Sequence, residues 1–96
     1  MKQAIADWFD ALCPDDSLLL LADEHQQAAF VGVVLGGPGH QPMAVYDIDK
    51  LIEAEQRQDP QSTEEEVYDH VCYNALGSAT AEHGPLFLRR FSPEGA

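Results

Sequence analysis

No apolar run in this chain exceeds eight residues, and the longest, residues 28–35, reaches that length only with Gly32 counted. A membrane-spanning helix needs about 20 such residues, so the runs read as strands of a small soluble core. Three are of strand length: residues 17–22 (Ser-Leu-Leu-Leu-Leu-Ala), residues 28–35, rich in Val and Phe, and residues 43–46 (Met-Ala-Val-Tyr). The first two are separated by the polar stretch 23–27, which predicts a hairpin. Gly36-Gly37-Pro38-Gly39 predicts a loop before the third.

Elsewhere the apolar spacing is helical. Ile5, Trp8, Phe9 and Leu12 recur along one face, Asp7 and Asp10 take the other, and Pro14 closes the segment. After Tyr46, either Asp47 or Asp49 can accept from the free N–H groups of a new helix. Ile48, Leu51 and Ile52 form its apolar stripe, Lys50, Glu53 and Arg57 face outward, and Asp59-Pro60 ends it. Ser62 and Glu65 have capping-box spacing ahead of a further apolar pattern: Val67, Val71 and Ala75, with Tyr68, Cys72 and Leu76 beside it. Gly77 is its expected stop, and Leu86, Leu88 and Phe91 predict a last strand next to Arg89 and Arg90. The expected fold is a single α+β domain over residues 1–96 in the order α-β-β-β-α-α-β. Its antiparallel sheet of three to four strands carries helices on one face.

Chemistry-bearing motifs are sparse. The glycine loop lacks the Lys-Ser/Thr of a phosphate-binding loop and precedes a strand rather than a helix. His25, His40, His70 and His83 are scattered, and His70 and Cys72 point apart on a helix. Asp47 and Asp49 lack the ligands and glycine that a calcium loop requires. Cys13 and Cys72 have no paired spacing and read as free thiols. Cys72 lies on an apolar helix side and Cys13 at a helix C-terminus, and neither setting favours a thiolate. The expectation is a non-enzymatic chain with no cofactor and no metal.

What stands out is charge. Seventeen acids against five bases give −12, one net negative charge per eight residues, which argues against direct binding of nucleic acid or anionic membrane. The first seven residues carry one base and then an acid where a secretion signal is apolar, so a cytoplasmic protein is expected. Asp7, Asp10, Asp15, Asp16, Asp23 and Glu24 form one acidic group. The other runs from Asp47 to Asp69 and is diluted only by Lys50 and Arg57. Helix neighbours such as Asp49/Glu53 and Glu65/Asp69 bring Cβ atoms to about 5–6 Å, whereas duplex DNA carries a charge every ~1.7 Å of axis. Asp49, Glu53, Glu64, Glu65, Glu66 and Asp69 are therefore the candidate partner-binding residues, imitating nucleic acid before a basic protein. The plainer account is a solvated face that keeps a small protein in solution.

Four segments form a recurrent order: Tyr46-Asp47-Ile48-Asp49-Lys50-Leu51-Ile52, Ser62-Thr63-Glu64-Glu65-Glu66, Tyr73-Asn74-Ala75-Leu76-Gly77 and Gly84-Pro85-Leu86-Phe87. In this the C-terminal half resembles a group of small uncharacterised proteins encoded by bacteriophages and prophages. It departs from that group in the polar linker 54–61 and in Ser78-Ala79-Thr80. The resemblance implies a bacterial cytoplasm, including that of an infected host, and transfers no catalytic residue. Asn74 is the one repeated residue without a capping or stop role, which leaves a tie to a neighbouring loop or a partner contact.

Three function classes follow. The first is an acidic accessory protein that binds a basic host protein or complex, in its most concrete form an anti-CRISPR or anti-restriction inhibitor. The second is a phage structural or assembly protein, which predicts oligomers such as a homodimer and an exposed apolar patch along residues 5–12. The third is a small enzyme with a perturbed titrating group in a pocket.

Overall fold

The computed structural model describes residues 1–36, 40–71 and 84–93. Helix α1 is Lys2–Leu12, followed by a 3-10 helix, Glu24–Ala29. Strands β1 (Phe30–Val34) and β2 (Met43–Asp47) come next, then helices α2 (Ile48–Gln58) and α3 (Glu64–Val71), and finally strand β3 (Leu86–Leu88). The class is α+β, built on one three-stranded sheet in the order β1-β2-β3.

That sheet is mixed, which corrects the antiparallel expectation. β1 and β2 are antiparallel, but β2 and β3 are parallel, with Val45, Tyr46 and Asp47 opposite Leu86, Phe87 and Leu88. The helical segment between β2 and β3 makes this pairing possible, since neighbouring parallel strands require a long crossover, usually helical. Phe91 lies beyond the strand and is 88% exposed.

The leucine run 17–22 is not a strand, so the hairpin predicted with residues 28–35 is absent as well. Leu21 is buried, Leu18 and Leu20 pack against the core, and Leu19 is exposed. The neighbours Leu20 and Leu21 both turn inward, so the run does not alternate as a strand does. The polar stretch 23–27 forms most of the 3-10 helix, at whose start the Asp23 N–H donates to Gln26 Oε1 at 3.0 Å.

One core cluster joins Ala44 and Tyr46 of β2 to Ile48, Leu51 and Ile52 of α2 and Val67 and Val71 of α3, with Leu21 and Ala29. Phe30, Tyr46 and Phe87 are register partners across all three strands, and their rings form a row with centroids 5.6 and 6.3 Å apart. α1 joins this row at its edge, where Trp8 meets Phe30 edge-on at 6.2 Å. Of the expected helix stripe, Ile5 and Phe9 are buried, while Trp8 and Leu12 stay about half exposed. Gly36 has φ +69°, a left-handed conformation that suits glycine, and a Cβ there would meet the His40 Cβ at 2.9 Å.

α2 begins as the sequence predicts. Asp47, rather than Asp49, is the N-cap, accepting from the Asp49 and Lys50 N–H groups at 3.0 and 3.2 Å. α3 begins one residue later than predicted, because the capping pair is Thr63/Glu66 and not Ser62/Glu65. The Thr63 N–H donates to Glu66 Oε1 at 2.9 Å, and the Glu66 N–H donates to Thr63 Oγ1 at 3.2 Å. Ser62 is occupied elsewhere, donating to Asp59 Oδ2 at 2.6 Å. Residues 37–39 of the glycine loop, and with them Cys72, Asn74, the Gly77 stop, the linker 78–83 and His83, lie outside the described residues.

Candidate partner interface

The acidic residues singled out from the sequence sit on two helices that pack against each other through the core. Asp49 and Glu53 lie on one exposed face of α2, while Glu64, Glu65, Glu66 and Asp69 are exposed on α3. The structure distributes their charge unevenly. α2 sets Lys50 and Arg57 against Asp49, Glu53 and Glu55, and Arg89 reaches Asp49 from beyond β3 at 3.4 Å. α3 carries four acids and no Lys or Arg. Among the described residues no cation pairs with any of those four. Negative charge therefore concentrates on α3 and fades along α2.

Part of that acidity serves the helix itself. Glu64, Glu65 and Glu66 occupy the first turn of α3, where the helix dipole favours anions. Hydrogen bonds from the Thr63 backbone and side chain hold the Glu66 carboxyl below its ordinary value of 4.5. Asp69, one turn beyond Glu65 and exposed, has no such local role.

Arg89 and Arg90, the basic cluster, are spent on structure. Arg90 Nε lies 2.9 Å from Oδ2 of the buried Asp47, so that carboxylate both caps α2 and fastens the chain leaving β3. Arg89 stacks over the Tyr68 ring of α3 at 5.9 Å. The segment from Tyr46 to Ile52, one of the four on which the phage-type resemblance rests, has its main features accounted for by the fold. Tyr46, Ile48, Leu51 and Ile52 fill the core, Asp47 caps, and Asp49 meets Arg89.

Tyr46 is also the centre of a buried polar network that sequence reasoning missed. Its hydroxyl donates to Gln27 Oε1 at 2.6 Å and accepts from the Leu21 N–H at 3.1 Å. Gln27 Nε2 donates to the Leu21 and Asp23 carbonyls at 2.8 and 2.9 Å. No buried side-chain N or O among the described residues lacks a partner. These bonds fasten the unpaired leucine segment to the sheet. On the same side, His25 and Gln26 both reach Glu55 Oε1, at 2.9 and 3.1 Å, joining the 3-10 helix to α2.

Two concavities accompany these features. One, of about 290 Å³, lies between the end of α2 and α3 and is lined by Glu55, Asp59, Glu66 and His70 among others. The other, of about 260 Å³, is lined by Ala4, Ile5, Trp8, Phe30 and Val31, between α1 and β1. Among the described residues no group of three or more His, Cys, Asp or Glu side chains is arranged to hold a metal ion, and no helix is long and apolar enough to cross a membrane. Cys13 is a free, half-buried thiol.

Comparison with protein-family models, curated proteins and solved structures finds no match to this chain.

Proposed function

We propose that this chain is a non-enzymatic, acidic accessory protein of phage type that binds a basic host protein or complex through α3. The observation that carries the proposal is the cluster Glu64, Glu65, Glu66 and Asp69, exposed and without a cationic partner among the described residues. Charge of one sign on a rigid, core-anchored helix steers a basic partner and presents it with a row of carboxylates. With the resemblance of the C-terminal half to phage proteins, the most concrete form is an inhibitor of a nucleic-acid-handling defence complex, of anti-CRISPR or anti-restriction type. Asp49 is secondary, because Arg89 partly neutralises it, and Glu66 contributes charge while capping.

The test is capture of partners from bacterial lysate by tagged protein, repeated with excess duplex DNA, at raised salt, and with the variant Glu64→Lys/Glu65→Lys/Asp69→Lys. A basic, nucleic-acid-binding complex should be retained, be displaced by DNA and salt, and be lost with the charge reversal while circular dichroism stays unchanged. A partner that ignores all three changes would leave α3 a solvated face.

A second reading, an assembly component, is favoured by a different observation. Trp8 and Leu12 of α1 are 48% and 50% exposed, and Val31 beside the α1/β1 concavity is 46% exposed. Such a patch is suited to self-association.

A further inference from the structure

We infer that Asp49 of α2 and Tyr68 of α3 form a guanidinium site, filled in the free protein by the chain's own Arg89 and taken over by an arginine of the basic partner on binding. This rests on the α3 reading and names the partner chemistry it takes, arginine rather than lysine. One guanidinium touches both groups. Arg89 Nη2 lies 3.4 Å from Asp49 Oδ1, and Arg89 Cζ lies 5.9 Å from the centre of the Tyr68 ring. A ring face beside a carboxylate suits a planar, weakly hydrated guanidinium, which stacks on the one and donates to the other. An ammonium is a compact, strongly hydrated point charge and gains less from the same pairing.

Arg89 is held loosely enough to be exchanged. Its approach to Asp49 is longer than the ~2.7–2.9 Å of a charge-assisted hydrogen bond, and its distance from the ring is at the outer edge of the ~6 Å reach of cation–π attraction. Arg89, Asp49 and Tyr68 are all exposed, so a second molecule can reach the site. Nor does the fold need Arg89 in place. β3 is paired with β2, and the chain leaving it is fastened by Arg90, whose Nε lies 2.9 Å from the buried Asp47 carboxylate. Arg89 can therefore swing away without releasing the strand.

The site also lies where further cations of a partner would gather. Glu64 and Glu65 precede Tyr68 by four and three residues and share its side of α3. Glu53 follows Asp49 one turn along the exposed face of α2. A partner arginine over Tyr68 thus meets carboxylates from both helices, and the departure of Arg89 returns Asp49 to them. In the free protein Arg89 stands in for the partner and masks this part of its surface.

The probes are octa-arginine and octa-lysine, titrated calorimetrically into the full chain at low salt. Arg89→Gln and Arg57→Gln each remove one positive charge, but Arg57 lies in the last turn of α2, at the opposite end from Asp49. Comparing the two separates emptying the site from a change of net charge. Arg89→Gln should bind octa-arginine about two- to fivefold more tightly than Arg57→Gln does, the factor expected when an exposed cation–π occupant no longer competes. Octa-lysine should not distinguish the two variants. Adding Tyr68→Leu to Arg89→Gln should remove both the gain and the preference for arginine, with circular dichroism unchanged. Equal octa-arginine affinity in Arg89→Gln and Arg57→Gln, or a gain that octa-lysine shares or that survives Tyr68→Leu, would overturn the inference and leave the α3 reading standing. If instead both peptides bind Glu64→Lys/Glu65→Lys/Asp69→Lys as tightly as the parent, the α3 reading fails and this inference with it.

Discussion

Tyr46 is the residue on which most of the fold converges. It is fully buried, shares the ring row with Phe30 and Phe87, and exchanges hydrogen bonds with Gln27 and Leu21. Tyr46→Phe keeps the ring but leaves the Leu21 N–H and Gln27 Oε1 without that partner. Leaving such buried groups unpaired costs about 1–3 kcal/mol, and urea unfolding should show a loss of that size. A change under about 0.5 kcal/mol would mean that water or rearrangement replaces the hydroxyl. Burial, opposed by those two hydrogen bonds, raises the phenol above its ordinary value of 10.0. The folded state therefore holds this proton more tightly than the unfolded chain. The stabilisation is complete below the unfolded value, about 10, and is lost as pH rises through the folded one. Alkaline unfolding should accompany ionisation of Tyr46 in a 295 nm titration, and should weaken in Tyr46→Phe.

At the scale of elements, the start of α3 separates two chemically equal options. Ser62-Thr63-Glu64-Glu65-Glu66 contains two capping boxes offset by one residue, and the structure uses Thr63 with Glu66. Thr63→Ala should cost about 0.5–2 kcal/mol, the usual loss for an N-cap, and Ser62→Ala distinctly less. Equal losses would mean that the cap alternates between them. Because Thr63 lowers the Glu66 carboxyl, this cap's contribution is present above the ordinary glutamate value and lost as pH falls through the folded one. Helices were readable because their signals are local: Asp47 before Ile48, the stripe Leu51–Ile52, and Pro60 after the last turn of α2. The leucine run was misread because a short apolar run looks the same whether its backbone groups meet a strand or, at Leu21, the side chains of Tyr46 and Gln27. Gln27 gave no apolar signal at all. The parallel pairing of β3 was not legible, because a long helical connection permits a crossover without fixing which strand the chain rejoins or in which direction. The acidic site was legible as composition but not as distribution. Only the tertiary fold brings Arg89 to Asp49 and, among the described residues, leaves Glu65 and Asp69 without a cation.

For the whole molecule, opposing electrostatic effects predict the sign of the salt response. A net charge of −12 on 96 residues destabilises the compact state through self-repulsion, which salt screens within a Debye length of about 8–10 Å. The ion pairs oppose this, because they too weaken in salt. Met1–Glu24 and Arg89–Asp49 have both partners more than half exposed, and such pairs contribute little to stability. Arg90–Asp47 has one buried partner and is screened less. Repulsion is thus the larger salt-sensitive quantity, and thermal melts should move upward between about 0.05 and 0.5 M sodium chloride. The triple reversal Glu64→Lys/Glu65→Lys/Asp69→Lys halves the net charge, from −12 to about −6. Lysines in the first turn of α3 oppose the helix dipole, so the reversal is read in the salt response, which should be smaller than the parent's. If the parent instead melted lower as salt rose, the ion pairs would outweigh the repulsion and α3 would not be the strained, like-charged surface on which partner binding depends. A surface that destabilises its own fold and is relieved by a cation has free energy to give to a basic partner. The salt dependence of stability and of capture should therefore run in opposite directions on the same three residues.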